Sequence, residues 1–269
     1  MTAPSGDEQK ASLRRDHWAA IRAAGAARFP GVEGRIPNFV GAEAAAGRLS
    51  ETPEFQGARV LKCNPDLPQR PVRHAALKAG KVVLLAVPRL RTERCFLMLD
   101  PSALPPGSLW SASSVKGATV LGVPLRVGEV PPIDLVVSGC VAAGMDGARL
   151  GKGGGYADLE YALLRTAGAL RAATPVATTI HDSQLQAAGV IPREPHDVGL
   201  HLIVTPSRRF RPSGPIPQPE GVRWEALPPA RVAAMPALAE RAPQPMSDSS
   251  ASSTAASPAS SRRPEPQSS

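Results

Sequence analysis

The chain has 269 residues, 42% of them hydrophobic and only 4% aromatic. That is enough for one medium domain with extensions, packed mainly by aliphatic side chains and Ala. Its formal net charge of +8 suits an anionic ligand, but no block of five like charges and no RNP-type aromatic motif occurs, which disfavours nucleic acid as the main partner.

Residues 7–28 read as a helix capped by Asp7, with Leu13, Trp18, Ile21 and Ala24 on a loose apolar stripe and Pro30 as its stop. Residues 30–57, rich in Gly and Pro, read as irregular. An alternation then begins. Ala58–Cys63 reads as a strand, Pro71–Ala79 as a helix ended by Gly80, Lys81–Val87 as an apolar strand and Phe96–Leu99 as a short one. A helical turn is expected over 109–117, the strongest strand over Ile133–Cys140, a long amphipathic helix over Tyr156–Leu170, and strands over Val176–Ile180 and Leu200–Thr205. Strands alternating with helices predict an α/β fold with a largely parallel sheet. Near-continuous apolar strands fit a sheet covered on both faces.

The domain is expected to fill residues 1–211. Residues 212–228 read as an extension docked by Val222, Trp224 and Leu227. Residues 229–269, dominated by Pro, Ser and Ala, read as a disordered tail. The N-terminal MTAPSGDEQK is polar, and nowhere do 18 apolar residues run together, so the protein is expected to be soluble, cytoplasmic and free of membrane. Cys63, Cys95 and Cys140 contain no C-x-x-C pair, which argues for buried thiols over a disulfide framework or zinc site.

The chemistry concentrates in Arg149-Leu-Gly-Lys-Gly-Gly-Gly-Tyr-Ala-Asp158. Gly153, Gly154 and Gly155 allow close approach of backbone to a ligand. The following helix N-terminus offers unpaired N–H groups and partial positive charge to a phosphate. Arg149 and Lys152 add formal charge. Asp158, in the first helical turn, could hold Mg²⁺ against phosphates or complement the helix dipole. Neither a Walker A motif nor G-x-G-x-x-G is present.

This loop resembles the R-x-G-x-G-x-G-Y-Y-D signature of the 5-formyltetrahydrofolate cyclo-ligases, also called methenyltetrahydrofolate synthetases. Lys10-Ala-Ser-Leu-Arg14 is similar to the family's K-x-x-L-R motif, and Glu194-Pro-His-Asp197 to its late E-x-D segment. R-I-P-N-F (35–39), P-R-L-R-T (88–92), G-Y-A-D-L-E-Y (155–161) and T-x-x-H-D (178–182) resemble a divergent branch, the methenyltetrahydrofolate-synthase-domain-containing proteins. The resemblance implies a three-layer α/β sandwich and an ATP- and Mg²⁺-dependent closure of 5-formyltetrahydrofolate to its 5,10-methenyl form. It further implies that Lys10, Arg14, Arg149, Gly151, Lys152, Gly153, Gly154 and Gly155 contact ATP, and that Arg149, Lys152 and Tyr156 serve catalysis. Gly154, Gly155, Tyr156 and Asp66 would meet the folate, while Asp158 and Asp197 would hold the metal.

Two departures mark the folate side. The second Tyr of Y-Y-D is Ala157, and the segment expected to supply a folate-binding Glu reads Pro65-Asp-Leu-Pro-Gln69, with Asp66 the nearest acid. A nucleotide- or folate-binding relative without turnover, or with another substrate, is therefore the rival reading, and an RNA-binding protein the third. Among other residues, His181-Asp182 reads as a capping pair more readily than a base. Cys140 reads as a buried thiol, and Trp110 as a stacking candidate for a pterin ring. Arg89 and Arg91 could meet phosphates or carboxylates at a strand exit.

Overall fold

The computed structural model describes residues 5–243. Helix α1 spans Gly6–Ala23. Its cap is Ser5 rather than Asp7: the Ser5 hydroxyl accepts from the Glu8 N–H while the Glu8 carboxylate accepts from the Ser5 N–H. The helix ends well before residue 28 because Gly25 takes the left-handed position after it, at φ 62°.

The region expected to be irregular contains two helices, α2 (Ala42–Ser50) and α3 (Pro53–Gly57). Ala42, Ala45, Ala46 and Leu49 of α2 are buried at helical spacing, a small-residue face that the surrounding Gly and Pro conceal. Thr52 caps α3 and Pro53 opens it. The elements that follow are β1 (Val60–Cys63), α4 (Arg70–Lys78), β2 (Val82–Ala86) and β3 (Phe96–Leu99). Then come α5 (Leu109–Ala112), α6 (Val115–Leu121), β4 (Val123–Leu125), β5 (Leu135–Val137), β6 (Ala142–Gly144) and β7 (Arg149–Leu150). The chain continues through α7 (Tyr156–Thr166), β8 (Val176–Thr179), β9 (Leu185–Gln186), β10 (Leu202–Val204), β11 (Arg209–Phe210), α8 (Pro229–Ala233) and α9 (Pro236–Ala239).

The main sheet has the order β11-β10-β8-β5-β1-β2-β3-β4. Its centre, β10 through β2, is parallel, and β3, β4 and β11 are antiparallel at the edges. Leu61, Val83, Leu85, Leu135 and Val137 face α2 and α4, where they meet Leu49, Val72, Ala76 and Leu77. Leu84, Ala86, Val136, Val176 and Ile203 face the other way, against Leu159, Leu163 and Leu164 of α7. This is the expected α/β sandwich with helices on both faces. Each fully buried Leu, Val or Ile contributes about 1.5–3 kcal/mol to it.

Two corrections concern the path of the chain. The glycine loop does not leave the main sheet directly: after β5, a second sheet of order β7-β6-β9 intervenes. Its hairpin turns at Asp146-Gly147, with Gly147 at φ 82° and the Asp146 carboxylate accepting the Ala148 N–H. The reading of a disordered tail from 229 also fails up to residue 243. Pro229 and Pro236 open α8 and α9, where Pro is tolerated. Met235, Ala237 and Leu238 bury themselves in the core beneath α7, beside half-buried Val222, Trp224 and Leu227. The remainder of that tail, 244–269, lies outside the described residues. No helix among the described residues is long and apolar enough to cross a membrane.

Candidate active site

Gly155 is the N-terminal boundary of α7 and adopts φ 63°, while Gly153 adopts φ 105°. Both are conformations that L side chains enter at a cost. Gly154 is constrained by space instead: a Cβ there would lie 2.9 Å from the Tyr156 ring. The loop curls back over itself, and a cavity of about 530 Å³ opens beside it. Gly151, Lys152, Gly154, Gly155, Tyr156, Ala157 and Asp158 form one wall, with Asn64, Asp66 and Arg89 among the residues opposite.

Arg149 also lines the cavity, from beneath this wall, and is 4% exposed. Its Nη2 donates to Asp158 Oδ1 at 2.5 Å and its Nη1 to the Gly139 carbonyl at 3.2 Å. Asp158 Oδ1 also accepts the Val198 N–H at 3.0 Å. Burial alone would lower Arg149 and raise Asp158. Their mutual attraction outweighs burial in both, so Arg149 is held above and Asp158 below its ordinary pKa. Nε of Arg149 is buried without a partner among the described residues.

Helix α1 ties the three separated motifs together. Lys10 is buried and donates to Asp197 Oδ2 at 2.6 Å, with Glu194 Oε1 at 3.5 Å. One turn later, Arg14 Nε donates to the Gly151 carbonyl at 2.8 Å. Burial depresses the Arg14 pKa, only partly countered by Asp7 and Asp197. Arg14 thus braces the loop from behind, and Lys10, Arg14, Gly153 and Asp197 are not among the residues lining the cavity. Lys152 Nζ reaches Asp66 Oδ1 at 2.9 Å, joining the loop to the opposite rim.

The expected metal carboxylates are each engaged by a cation, Asp158 by Arg149 and Asp197 by Lys10. No group of three or more His, Cys, Asp and Glu is placed to hold a metal among the described residues. This donor set does not form a resident Mg²⁺ site, which requires free oxygen ligands.

Of the remaining candidates, His181 caps a 3₁₀ turn through Ser183. Asp182 accepts hydroxyl hydrogen bonds from Thr205 and Ser207, so this pair is structural. Burial pushes the Cys140 thiol up to about 11. Trp110 is 50% exposed and stacked by the Arg70 guanidinium at 4.0 Å, away from the cavity lining.

Four contributors to the site carry no assignment from the sequence: Arg231, Lys62, Glu160 and Asn64. Arg231 of α8 donates to the Gly154 carbonyl at 2.6 Å and sits 5.8 Å over the Tyr156 ring; nothing in its Pro- and Ala-rich surroundings signals this. Lys62, on the central strand β1, is in register with Leu84 and Val136 and so faces α7. There it meets Glu160, which lines the cavity, and Asn64. A lone Lys inside Val-Leu-Lys-Cys, in a strand buried on both faces, was the available signal.

A largely parallel three-layer α/β domain with a glycine loop seated at a helix N-terminus, beside a cavity fed by the sheet's central strands, defines an α/β protein of the doubly covered kind with a candidate ligand cavity. The chain belongs to the 5-formyltetrahydrofolate cyclo-ligase family, whose model matches residues 7–206. It is 38% identical over 219 residues to a mouse methenyltetrahydrofolate synthase domain-containing protein, covering 81% of this chain and 59% of that protein. It is 35% identical to the bovine protein of that name, covering 87% and 62% respectively. The chain thus spans about three-fifths of the length of these relatives. A solved structure of 5,10-methenyltetrahydrofolate synthetase from Aquifex aeolicus aligns at TM-score 0.48 and 19% identity, covering 77% of this chain and 94% of that one.

Proposed function

We propose that the cavity binds ATP and 5-formyltetrahydrofolate and closes the 5,10-methenyl ring. The observation that carries this reading is the buried Arg149–Asp158 pair beneath a glycine loop that opens α7, in a chain of this family. In the reaction, the formyl oxygen attacks the γ-phosphate and ADP leaves. N10 then attacks the resulting imino-phosphate carbon, and inorganic phosphate departs as the ring closes. Such a transfer depends on positioning and charge neutralisation more than on covalent help.

The loop N–H groups and the N-terminus of α7 cradle phosphate oxygens, and Lys152 supplies charge at the rim. Arg149, fixed by Asp158 and the Gly139 carbonyl, keeps its positive charge directly behind the loop. Tyr156, in the first turn of α7, orients the formyl group. Asp66 meets the folate from the opposite rim. Arg14 acts on ATP through the loop it braces, and Lys10 by fixing the same helix to Asp197. Mg²⁺ enters with the nucleotide as part of that substrate.

The test is an ATP-dependent rise at the methenyl-folate absorbance band with purified protein, ATP, Mg²⁺ and 5-formyltetrahydrofolate. A flat trace under conditions where calorimetry detects both ligands would refute turnover. A second reading, ligand binding without this reaction or with another substrate, is favoured by Ala157 on the cavity wall and by the engagement of Asp66 with Lys152.

A further inference from the structure

The cavity floor carries an ion pair that the phosphate chemistry does not use. Lys62 is 2% exposed and Glu160 4%. Lys62 Nζ donates to Glu160 Oε2 at 2.5 Å and to Asn64 Oδ1 at 2.8 Å. Glu160 and Asn64 both line the cavity, whereas Lys62 lies behind them. Taking two full charges out of water costs more than well-packed apolar residues in the same places would. The pair occupies the layer where its neighbours in register, Leu84 and Val136, are apolar. Packing of the sheet against α7 does not require it.

The helix geometry directs the carboxylate at a ligand. Tyr156, Ala157 and Glu160 all line the cavity, and Ala157 precedes Glu160 by three residues, so the two share a face of α7. A methyl group at 157 leaves the space in front of Glu160 open. The Glu160 carboxylate, anchored through Oε2 by the Lys62 ammonium, faces the cavity with its oxygens as acceptors. Because Asn64 receives Lys62 on its carbonyl oxygen, its amide nitrogen remains as a donor beside that carboxylate. The floor therefore presents two carboxylate acceptors next to one amide donor. Its complement is a planar ring with adjacent N–H and NH₂ donors followed by a carbonyl acceptor.

We propose that Glu160, positioned by Lys62 and Asn64, is the specificity-determining residue of the cavity and selects a heterocycle with a 2-amino-4-oxo pyrimidine edge, the edge of a pterin. This assignment rests on the folate reading of the site and locates its ring-recognising carboxylate on α7, across from Asp66. A purely structural pair would not distinguish rings that differ in that edge alone.

The experiment compares binding of 6-methylpterin with 6-methyllumazine, in which an oxo group replaces the 2-amino group, by ligand fluorescence on the full chain. The wild-type protein is expected to prefer the pterin by about tenfold or more, the scale of losing one charge-assisted hydrogen bond against a repelled carbonyl. Glu160→Gln is expected to bring the preference below about threefold. The double variant Lys62→Met with Glu160→Met removes both charges together, guards against misfolding from an unpaired buried Lys, and is expected to lose the preference while keeping a cooperative thermal transition. Absence of pterin preference in the wild type, or its persistence in the folded double variant, overturns the assignment. The methenyl absorbance assay reads the other claim separately. Pterin preference without methenyl formation keeps Glu160 and removes the cyclo-ligase reading. Methenyl formation without the preference does the reverse.

Discussion

The buried pair beneath the glycine loop gives the most quantitative expectation. Arg149→Met leaves Asp158 charged, largely buried and deprived of its cation, with the Val198 N–H as a remaining donor. Breaking one side of a buried pair costs about 3–5 kcal/mol, because the partner keeps its desolvation penalty. Asp158→Asn strands Arg149 in the same way. Removing both relieves that penalty, so the double variant should lose less than the sum of the singles, with a coupling of about 2 kcal/mol or more. Urea denaturation of the four proteins measures this directly, provided that the m-values agree.

The pH dependence follows from the lowered Asp158 carboxyl. A carboxyl depressed in the folded state stabilises above its unfolded value of about 3.9, and that stability is lost as pH falls through the folded value. In Arg149→Met the attraction is gone and burial raises the carboxyl instead, so the variant is relieved by acid. The stability gap between wild type and variant should therefore be full near neutrality and shrink below about pH 4. Additive losses, or a gap that does not vary with pH, would refute the account of Arg149 as a charge held in place by Asp158.

Other expectations concern the loop, the C-terminal segment and the thiols. Gly155→Ala forces a methyl into φ 63° and to 3.1 Å from Arg231 Nη2. It should cost about 1–2 kcal/mol and weaken ATP binding in calorimetry; unchanged binding would mean that loop shape does not govern the site. Met235→Ala and Leu238→Ala remove fully or nearly fully buried side chains from the core beneath α7. Each should destabilise by about 2–5 kcal/mol in chemical denaturation, whereas a segment that merely hung in solvent would tolerate both. The Cys140 thiol, pushed up to about 11 and wholly buried, should resist iodoacetamide at pH 8 in the native protein and react after denaturation. Rapid native labelling would contradict its placement.

What the sequence made legible follows from how each signal arises. Lys-Val-Val-Leu-Leu-Ala-Val and Ile-Asp-Leu-Val-Val are readable as strands because a parallel sheet covered on both faces demands continuous apolar runs. The glycine loop is readable because only a run of small residues can curl and admit a ligand. Helix α2 is hidden because its buried face is mostly Ala and its flanks carry Gly and Pro. Strands β6, β7 and β9 are three residues or fewer, too short to show a period. The site residues that escaped do so through distance along the chain: Arg231 meets Gly154 across 77 positions and Lys62 meets Glu160 across 98. The resemblance named Lys10 and Asp197 for different ligands, a nucleotide and a metal. Their opposite charges, 2.6 Å apart, instead satisfy each other.

The contact between Arg231 and the Gly154 carbonyl makes the C-terminal segment a thermodynamic partner of the cavity. Docking of α8 and α9 and occupancy of the loop share one hydrogen bond and one ring face. By linkage, a ligand that strengthens those two contacts raises the docking equilibrium of the segment by the same factor that docking raises its affinity. A ligand that needs the Gly154 carbonyl for itself loosens the segment to the same extent. The described stretch that follows the family match, 207–243, is thereby coupled to whatever the cavity takes up, and its undocking is a measurable report of occupancy.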